Sequence, residues 1–344
     1  MSKENSRENN SRMRESVSLI LPNYNNAPVL DLFFQKLVEN THYGNYEFIV
    51  VDDGSSDSSV EVLKKWRSDG CIPNFTLVEK PHSGVVETLN VALEKTRGKL
   101  ICRLDGDATI ETPNWLTKMV QFYTSHADIG MVVAKIFFDN GRLHSAGRNV
   151  ICLEGLHDRG TTITEEVGNR TFDGNVKRGK DTNQFDQTCE VDTALGCCTL
   201  FSRELAQAIG GFDTGYAPVW LEDDDFGLNV RRLQKKVYYF PEVCAVHRIS
   251  QRNRRHDGSW FKYFPQRVIY KLSNMILNPA NRESNPWRMQ ILRHHYAYWL
   301  RKWGFDPLNP DLDFIFHRYQ GTEICWRFEE DRKQRGEQIV RAYV

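Results

Sequence analysis

Asp105 and Asp107 flank a single glycine directly after an apolar run, Lys99 to Leu104 (KLICRL). Hard divalent cations such as Mn²⁺ or Mg²⁺ take oxygen ligands and reach a nucleotide through one or two carboxylates plus its phosphates. Gly106 would let the backbone approach such a ligand closely. An isolated Asp-Gly-Asp is more often a surface turn; here its place at a strand end, with other acidic clusters at neighbouring strand ends, favours chemistry. Asp52-Asp53-Gly54-Ser55 closes a second apolar run, where a carboxylate can accept the imide hydrogen of uracil or thymine or hold a ribose hydroxyl. Glu222, Asp223, Asp224 and Asp225 open a helix. The helix dipole and free N–H groups favour acids there, but four in succession exceed what capping needs and imply a cation or a proton-transfer role nearby. His247 ends a further strand beside Ala245 and Val246, where an unaccompanied histidine is more often structural than functional.

The elements that must position these residues follow from hydrophobic periodicity. Val17–Leu21, Tyr46–Val51, Phe75–Val78 and Lys99–Leu104 read as buried strands. Helical spacing over 28–40 puts Val29, Leu32, Phe33 and Leu37 on one face; Ser59–Trp66 and Val85–Thr96 also read as helices. This alternation predicts an α/β fold, with a mostly parallel sheet covered by helices on both faces. Ligands in such sheets collect at the carboxyl ends of the strands, so Pro22–Asn26, Asp52–Asp57 and Asp105–Asp107 should converge. Farther on, Met131–Phe138 reads as a strand and Val191–Ser202 as an apolar segment. Phe226, Val230 and Leu233 mark a helix after the acidic run, with strands at Val237–Phe240, ending at Pro241, and at Cys244–His247. Residues 139–187 are polar, rich in glycine and weakly periodic, which suits an acceptor-reading loop region.

Composition sets the outer limits. The 344 residues carry 45 Lys+Arg against 45 Asp+Glu, so no net field favours nucleic acid or an anionic membrane. No apolar run approaches the roughly 20 residues needed to span a bilayer. The polar stretch 1–15 reads as a disordered tail and the scattered cysteines as reduced thiols, which together imply a cytoplasmic protein.

In order along the chain, LPNYNN, VVDDGSSD, SGVVETLNVAL and RLDGD resemble glycosyltransferase family 2. FFDNGRLHSAGRNV, VDTALGCCTLFSRE, GGFDTGY, WLEDDDFGLNVRR and YYFPEVCAVH resemble its rhamnosyltransferase-like branch. The resemblance covers about residues 16–250. It implies a GT-A fold, a Rossmann-like mixed sheet with a nucleotide-sugar-binding half (16–125) and an acceptor-binding, catalytic half (126–250), followed by a C-terminal helical extension (251–344). Carried over by position, Asp52 is the base-recognising carboxylate beside Asp53, with Pro22 and Tyr24 walling the base. Asp105 is the ribose- or metal-side acid, Asp107 the direct metal ligand and His247 the histidine completing the metal site. Asp223 is the catalytic base of an inverting transfer, with Glu222 and Asp224 as alternatives because the extra acids blur the register. Gly84 and Asn90 fall in the donor-side segment, and Arg103 approaches the diphosphate. The implied partners are a divalent cation (Mn²⁺ or Mg²⁺), a UDP- or dTDP-sugar, and a glycan, lipid-linked saccharide or protein hydroxyl acceptor, in surface-glycan or glycoconjugate synthesis.

Gln251-Arg252-Asn253-Arg254-Arg255 departs from the Gln-x-x-Arg-Trp of processive members, which points to transfer of a single sugar. Pro286–Trp303 has Trp287, Ile291, Trp299 and Trp303 along one side. That stripe suits a membrane surface or, preferably, packing on the catalytic domain or a second subunit. Three rival readings were weighed. A nucleotidyltransferase lacks its glycine-rich loop after the first strand, and a dinucleotide oxidoreductase lacks G-x-G-x-x-G. A non-catalytic nucleotide-sugar or glycan-binding protein would have no need of Asp105, Asp107, Asp223 and His247 together.

Overall fold

A computed structural model describes residues 15–141, 143–152, 155–158, 185–248 and 286–303; the N-terminal polar stretch up to residue 14 and most of 139–187 fall outside this set. A ten-stranded mixed sheet runs through the molecule. Its first part is β1 (Val17–Asn23), α1 (Ala27–Asn40), β2 (Tyr46–Asp52), α2 (Ser59–Ser68), β3 (Phe75–Glu79), α3 (Val85–Lys95) and β4 (Leu100–Leu104). Strands β4-β1-β2-β3 are neighbours and all parallel. Every residue of β1 is buried, as expected for a central parallel strand covered on both faces.

The remainder comprises β5 (Ala108–Ile110), α4 (Trp115–Tyr123), β6 (Ile129–Phe138), β7 (Leu143–Ser145), β8 (Arg148–Cys152), β9 (Gly155–Asp158), β10 (Cys189–Val191), β11 (Cys198–Ser202), α5 (Arg203–Ile209), α6 (Glu222–Arg232), β12 (Lys236–His247) and α7 (Pro286–Trp303). A short 3₁₀ turn spans Thr214–Tyr216. Strand β11 lies antiparallel between β4 and β6, and β12 runs parallel to β6. Two reversals bring β6 and β12 back to the direction of β4. The carboxyl ends of β1, β2, β4, β6 and β12 therefore share one edge, and all the singled-out acids sit along it.

Alternation along the strands divides the core into two layers. Ile20, Ile49 and Ile101 face α3, α5, α6 and α7. Leu19, Leu21, Phe48 and Val50 face α1, α2 and α4. Trp299 and Trp303 are buried in the first layer, so that end of the α7 stripe packs into the core. Among the described residues no helix is long and apolar enough to cross a membrane.

Several local expectations are corrected. Strands Val237–Phe240 and Cys244–His247 are one strand, β12. An irregularity between Phe240 and Cys244 absorbs Pro241, and a bulge is where proline is tolerated inside a sheet. The apolar stretch 191–202 is broken between β10 and β11. Leu233 is 43% exposed, just past the end of α6, whereas Phe226 and Val230 are buried. On α1, Leu30 and Phe34 are buried and Leu32 only partly so. Helix α4 was not anticipated: it has nine residues, no side-chain cap and a left-handed Asn114 before it, so two turns carried the whole signal.

Leu200, at the middle of β11, is fully buried and paired on both sides, with Cys102 and Val132. Leu200→Ala is expected to lower the free energy of unfolding by about 2–5 kcal/mol, read as a lower denaturation midpoint at unchanged slope in urea.

Candidate active site

Sheet register builds the first corner of the site. Strand β5 pairs antiparallel with the end of β12, with His247 opposite Ala108. This sets Asp107, the residue before Ala108, against the imidazole: His247 Nε2 lies 3.2 Å from Asp107 Oδ1. Asp107 is 4% exposed. The Arg248 N–H donates to the Asp107 carbonyl at 2.6 Å, and the Asp105 N–H donates to the Cys197 carbonyl at 3.2 Å. Asp105 is the more open acid of the pair, its side chain 23% exposed.

This oxygen-and-imidazole pair suits Mn²⁺ or Mg²⁺. Among the described residues, no group of three or more His, Cys, Asp or Glu side chains forms a metal cage. The donor set thus fits a cation shared with a diphosphate, whose oxygens complete the coordination, and does not fit a protein-only metal site.

The acidic run forms the second corner, and its four carboxylates have four different environments. Glu222 is buried and accepts from Arg103 Nη2 at 3.1 Å. Burial, then the charge of Asp223, pushes the Glu222 carboxyl up, with Arg103 opposing. Asp224 is 1% exposed, and both its oxygens accept from Arg148 Nη1, at 2.9 and 2.8 Å. Asp225 accepts from Lys302 Nζ and from Trp303 Nε1, each at 2.8 Å. Asp223 differs. Its carboxylate accepts the N–H groups of Gly196 (3.0 Å) and Asp224 (2.9 Å), lies 3.5 Å from Arg148 and, at 13% side-chain exposure, is the most open of the four.

Arg103 is engaged within the protein. It is 4% exposed, lies over the Phe212 ring at 5.5 Å, and spans Asp105 (3.4 Å) and Glu222 (3.1 Å). A Cβ on Gly196 would collide with its guanidinium, which is why glycine stands there. Burial alone would lower the pKa of this group; Asp105, Glu222 and Asp223 outweigh it and raise it. Arg103 thus ties the Asp-Gly-Asp corner to the acidic helix.

The nucleotide corner lies at the ends of β1 and β2. Register pairs Asn23 with Asp52. Asp52 Oδ1 accepts from Asn23 Nδ2 (2.7 Å) and Ser55 Oγ (2.6 Å), and Oδ2 from the Ser55 N–H (2.9 Å). Asp53 accepts from Lys80 Nζ, from the N–H groups of Ser83 and Gly84 (2.8 Å each) and pairs with His82 Nδ1 (2.8 Å). A carboxylate offers about four lone-pair directions. Lys80 and two backbone N–H groups hold Asp53 as a local scaffold, while Asp52, with three donors, retains one direction on Oδ2. Burial pushes the Asp53 carboxyl up, but Lys80 and the two N–H groups prevail and hold it below the usual carboxylate range.

Tyr24 stacks on His82 with ring centroids 4.2 Å apart, whereas Pro22 is buried inside β1 opposite Val51. Two donor-side expectations find other employment. Gly84 (φ +99) packs so closely on Pro218 that a Cβ would not fit. The Asn90 amide is engaged on both atoms with the Phe212 backbone, at 2.7 and 2.8 Å, and holds the Gly210–Asp213 loop.

Four contributors were not singled out from sequence: Asn23, Arg148, Gly196 and His144. The His144 ring lies 5.3 Å from His247 and 4.0 Å from Phe138. Arg148 and His144 both fall in FFDNGRLHSAGRNV, so the motif was visible although its individual roles were not.

Comparison with known proteins agrees with this geometry. The model of glycosyl transferase family 2 matches residues 18–210, and the chain belongs to that family. A protein of Sinorhizobium fredii, y4gI, is 28% identical over 257 residues, covering 71% of this chain and 25% of its own length. The O-antigen biosynthesis protein RfbC of Myxococcus xanthus is 23% identical over 244 residues, covering 70% and 18%. The chain thus spans a quarter or less of these two relatives. Among solved structures, mannosyltransferase PcManGT from Pyrobaculum calidifontis, in complex with GDP-Man and Mn²⁺, superposes with a TM-score of 0.50 at 17% identity, covering 96% of this chain and 83% of that one. The fold is GT-A.

Two predictions follow from this geometry. Mn²⁺ should bind weakly alone and at least ~10-fold more tightly with UDP present, by reciprocal coupling through the shared cation; calorimetry in both orders of addition checks this. Asp53, whose folded pKa is lowered, stabilises the fold at neutral pH and loses that contribution as pH falls through its folded value. Asp53→Asn should therefore be less stable than wild type at neutral pH and converge with it under acid, in thermal melts taken across the carboxylate range.

Proposed function

We propose that the protein is a metal-dependent, inverting glycosyltransferase that moves one sugar from a nucleoside-diphosphate donor to an acceptor hydroxyl. The observation carrying this reading is the division of labour within the acidic run. Glu222, Asp224 and Asp225 are buried against a cation, Arg103, Arg148 and Lys302, whereas Asp223 is the most exposed of the four and is held chiefly by two backbone N–H groups. A carboxylate oriented in this way suits a general base. Asp223 takes the acceptor hydroxyl proton as that oxygen attacks the anomeric carbon opposite the leaving group, and one displacement inverts the configuration.

Asp107 and His247 would hold the cation, with Asp105 beside them. When bound, the metal supplies positive charge for the departing diphosphate. Arg103 keeps Asp105 and Glu222 in register around the reacting centre. The remaining acceptor direction on Asp52 suits the imide N–H of uracil or thymine, which favours a UDP- or dTDP-sugar, with Tyr24 beside the base. The relatedness to an O-antigen biosynthesis protein supports an acceptor in surface-glycan synthesis.

The test is a thermal-shift and calorimetric screen of UDP, dTDP and GDP, with and without Mn²⁺, on wild type, Asp107→Ala and Asp223→Asn. One nucleotide should stabilise the wild type by about 2.7 kcal/mol at 100 times its Kd, only with metal and only with Asp107 intact. Asp223→Asn should bind as wild type does yet lose roughly 10²–10⁴-fold in kcat. If no nucleotide binds under any metal condition, the donor-site reading fails.

A further inference from the structure

Helix α7 lies beyond the residues matched by the family model, yet its side chains end on the segment that carries the acidic run. Lys302 Nζ donates to Asp213 Oδ2 at 2.5 Å and to Asp225 Oδ2 at 2.8 Å. Those two acids belong to different elements, the 3₁₀ turn's cap and the first turn of α6. Tyr298 Oη donates to both oxygens of Asp213, at 3.1 and 3.0 Å. Trp303 Nε1 donates to Asp225 Oδ1 at 2.8 Å, and His295 Nε2 lies 3.1 Å from the Ala217 carbonyl. The approach is tight: a Cβ on Gly215 would strike the Tyr298 ring.

The clamped segment has reason to need clamping. Trp220 (φ +79) and Leu221 (φ +68) are consecutive non-glycine residues in the left-handed region, immediately before Glu222. Such conformations persist only where their surroundings over-determine them. Here the surroundings are Gly84 packed on Pro218 from one side and α7 from the other. Asp225 is also buried among acids; burial pushes its carboxyl up, and Lys302 opposes that shift.

We propose that α7 is a clasp that positions the catalytic base: by joining Asp213 to Asp225, Lys302 holds the strained 213–225 segment and so fixes the direction of Asp223. Lys302 touches no reacting atom and is a positioning residue. The catalytic half of the proposal rests on Asp223 being the base; the structural half does not.

The test compares full-length wild type, Lys302→Met, Lys302→Arg and Asp223→Asn. Hydrogen exchange is followed over peptides spanning 213–225. Nucleoside-diphosphate release with Mn²⁺ is followed from a panel of UDP-glucose, UDP-N-acetylglucosamine, dTDP-rhamnose and GDP-mannose. Lys302→Met should exchange 213–225 about tenfold faster or more, with β1 and β2 unchanged. Its kcat should fall about tenfold or more at nearly constant donor KM, the split expected when an interaction made only in the transition state is lost. Lys302→Arg should recover most of both. Wild-type exchange over 213–225 in Lys302→Met overturns the clasp, and so does faster exchange at an unchanged release rate. A wild-type rate in Asp223→Asn overturns the base assignment instead. Should Lys302→Met not fold, Tyr298→Phe removes one hydroxyl from the same junction and is read in the same way.

Discussion

Six carboxylates crowd one edge of this sheet, Asp105, Asp107 and Glu222 to Asp225, and the fold must keep them together although they repel one another. Buried acids of like charge stay ionised only when each has a compensating partner. The solution is a set of interior cations, one from each of three parts of the chain: Arg103 on β4, Arg148 on β8 and Lys302 on α7. Of the three, Arg103 binds the two acidic motifs to each other. Its removal would leave buried charge uncompensated on both sides at once, which is the costly way to break an ion pair.

This arrangement sorts acids that look alike in sequence. The three acids in closest contact with these cations are buried, and Asp223, held mainly by backbone N–H groups, is the most exposed of the four. Neighbouring acids also part company at the ends of β1 and β2, where Asp52 is held by Asn23 and Ser55 and Asp53 by Lys80, Ser83 and Gly84.

Packing on glycines links the site to its support. Gly196 admits Arg103, Gly84 admits Pro218, and Gly215 admits Tyr298. Each is a point where two segments distant in sequence meet too closely for a Cβ. Together they connect Gly84, the acidic helix and α7 through contiguous packing, so Asp223 stands on a scaffold that extends to α7.

The sequence by itself determined the alternating strands and helices of the first half and the convergence of Asp52, Asp105 and Asp107 at carboxyl ends. Those features are local: hydrophobic period, strand-end polarity and ordered motifs are written in consecutive residues. Tertiary structure alone decided that β12 passes through Pro241, that Arg103 and Asn90 brace other parts of the protein, and that α7 closes on Asp213 and Asp225. It also decided which of four adjacent acids is the most exposed. The physical reason is common to all of these: an ionisable side chain takes its role from the partners and solvent around it. Those partners, 27 to 119 residues away for Asp53–Lys80 and Arg103–Glu222, become neighbours only when the sheet is assembled.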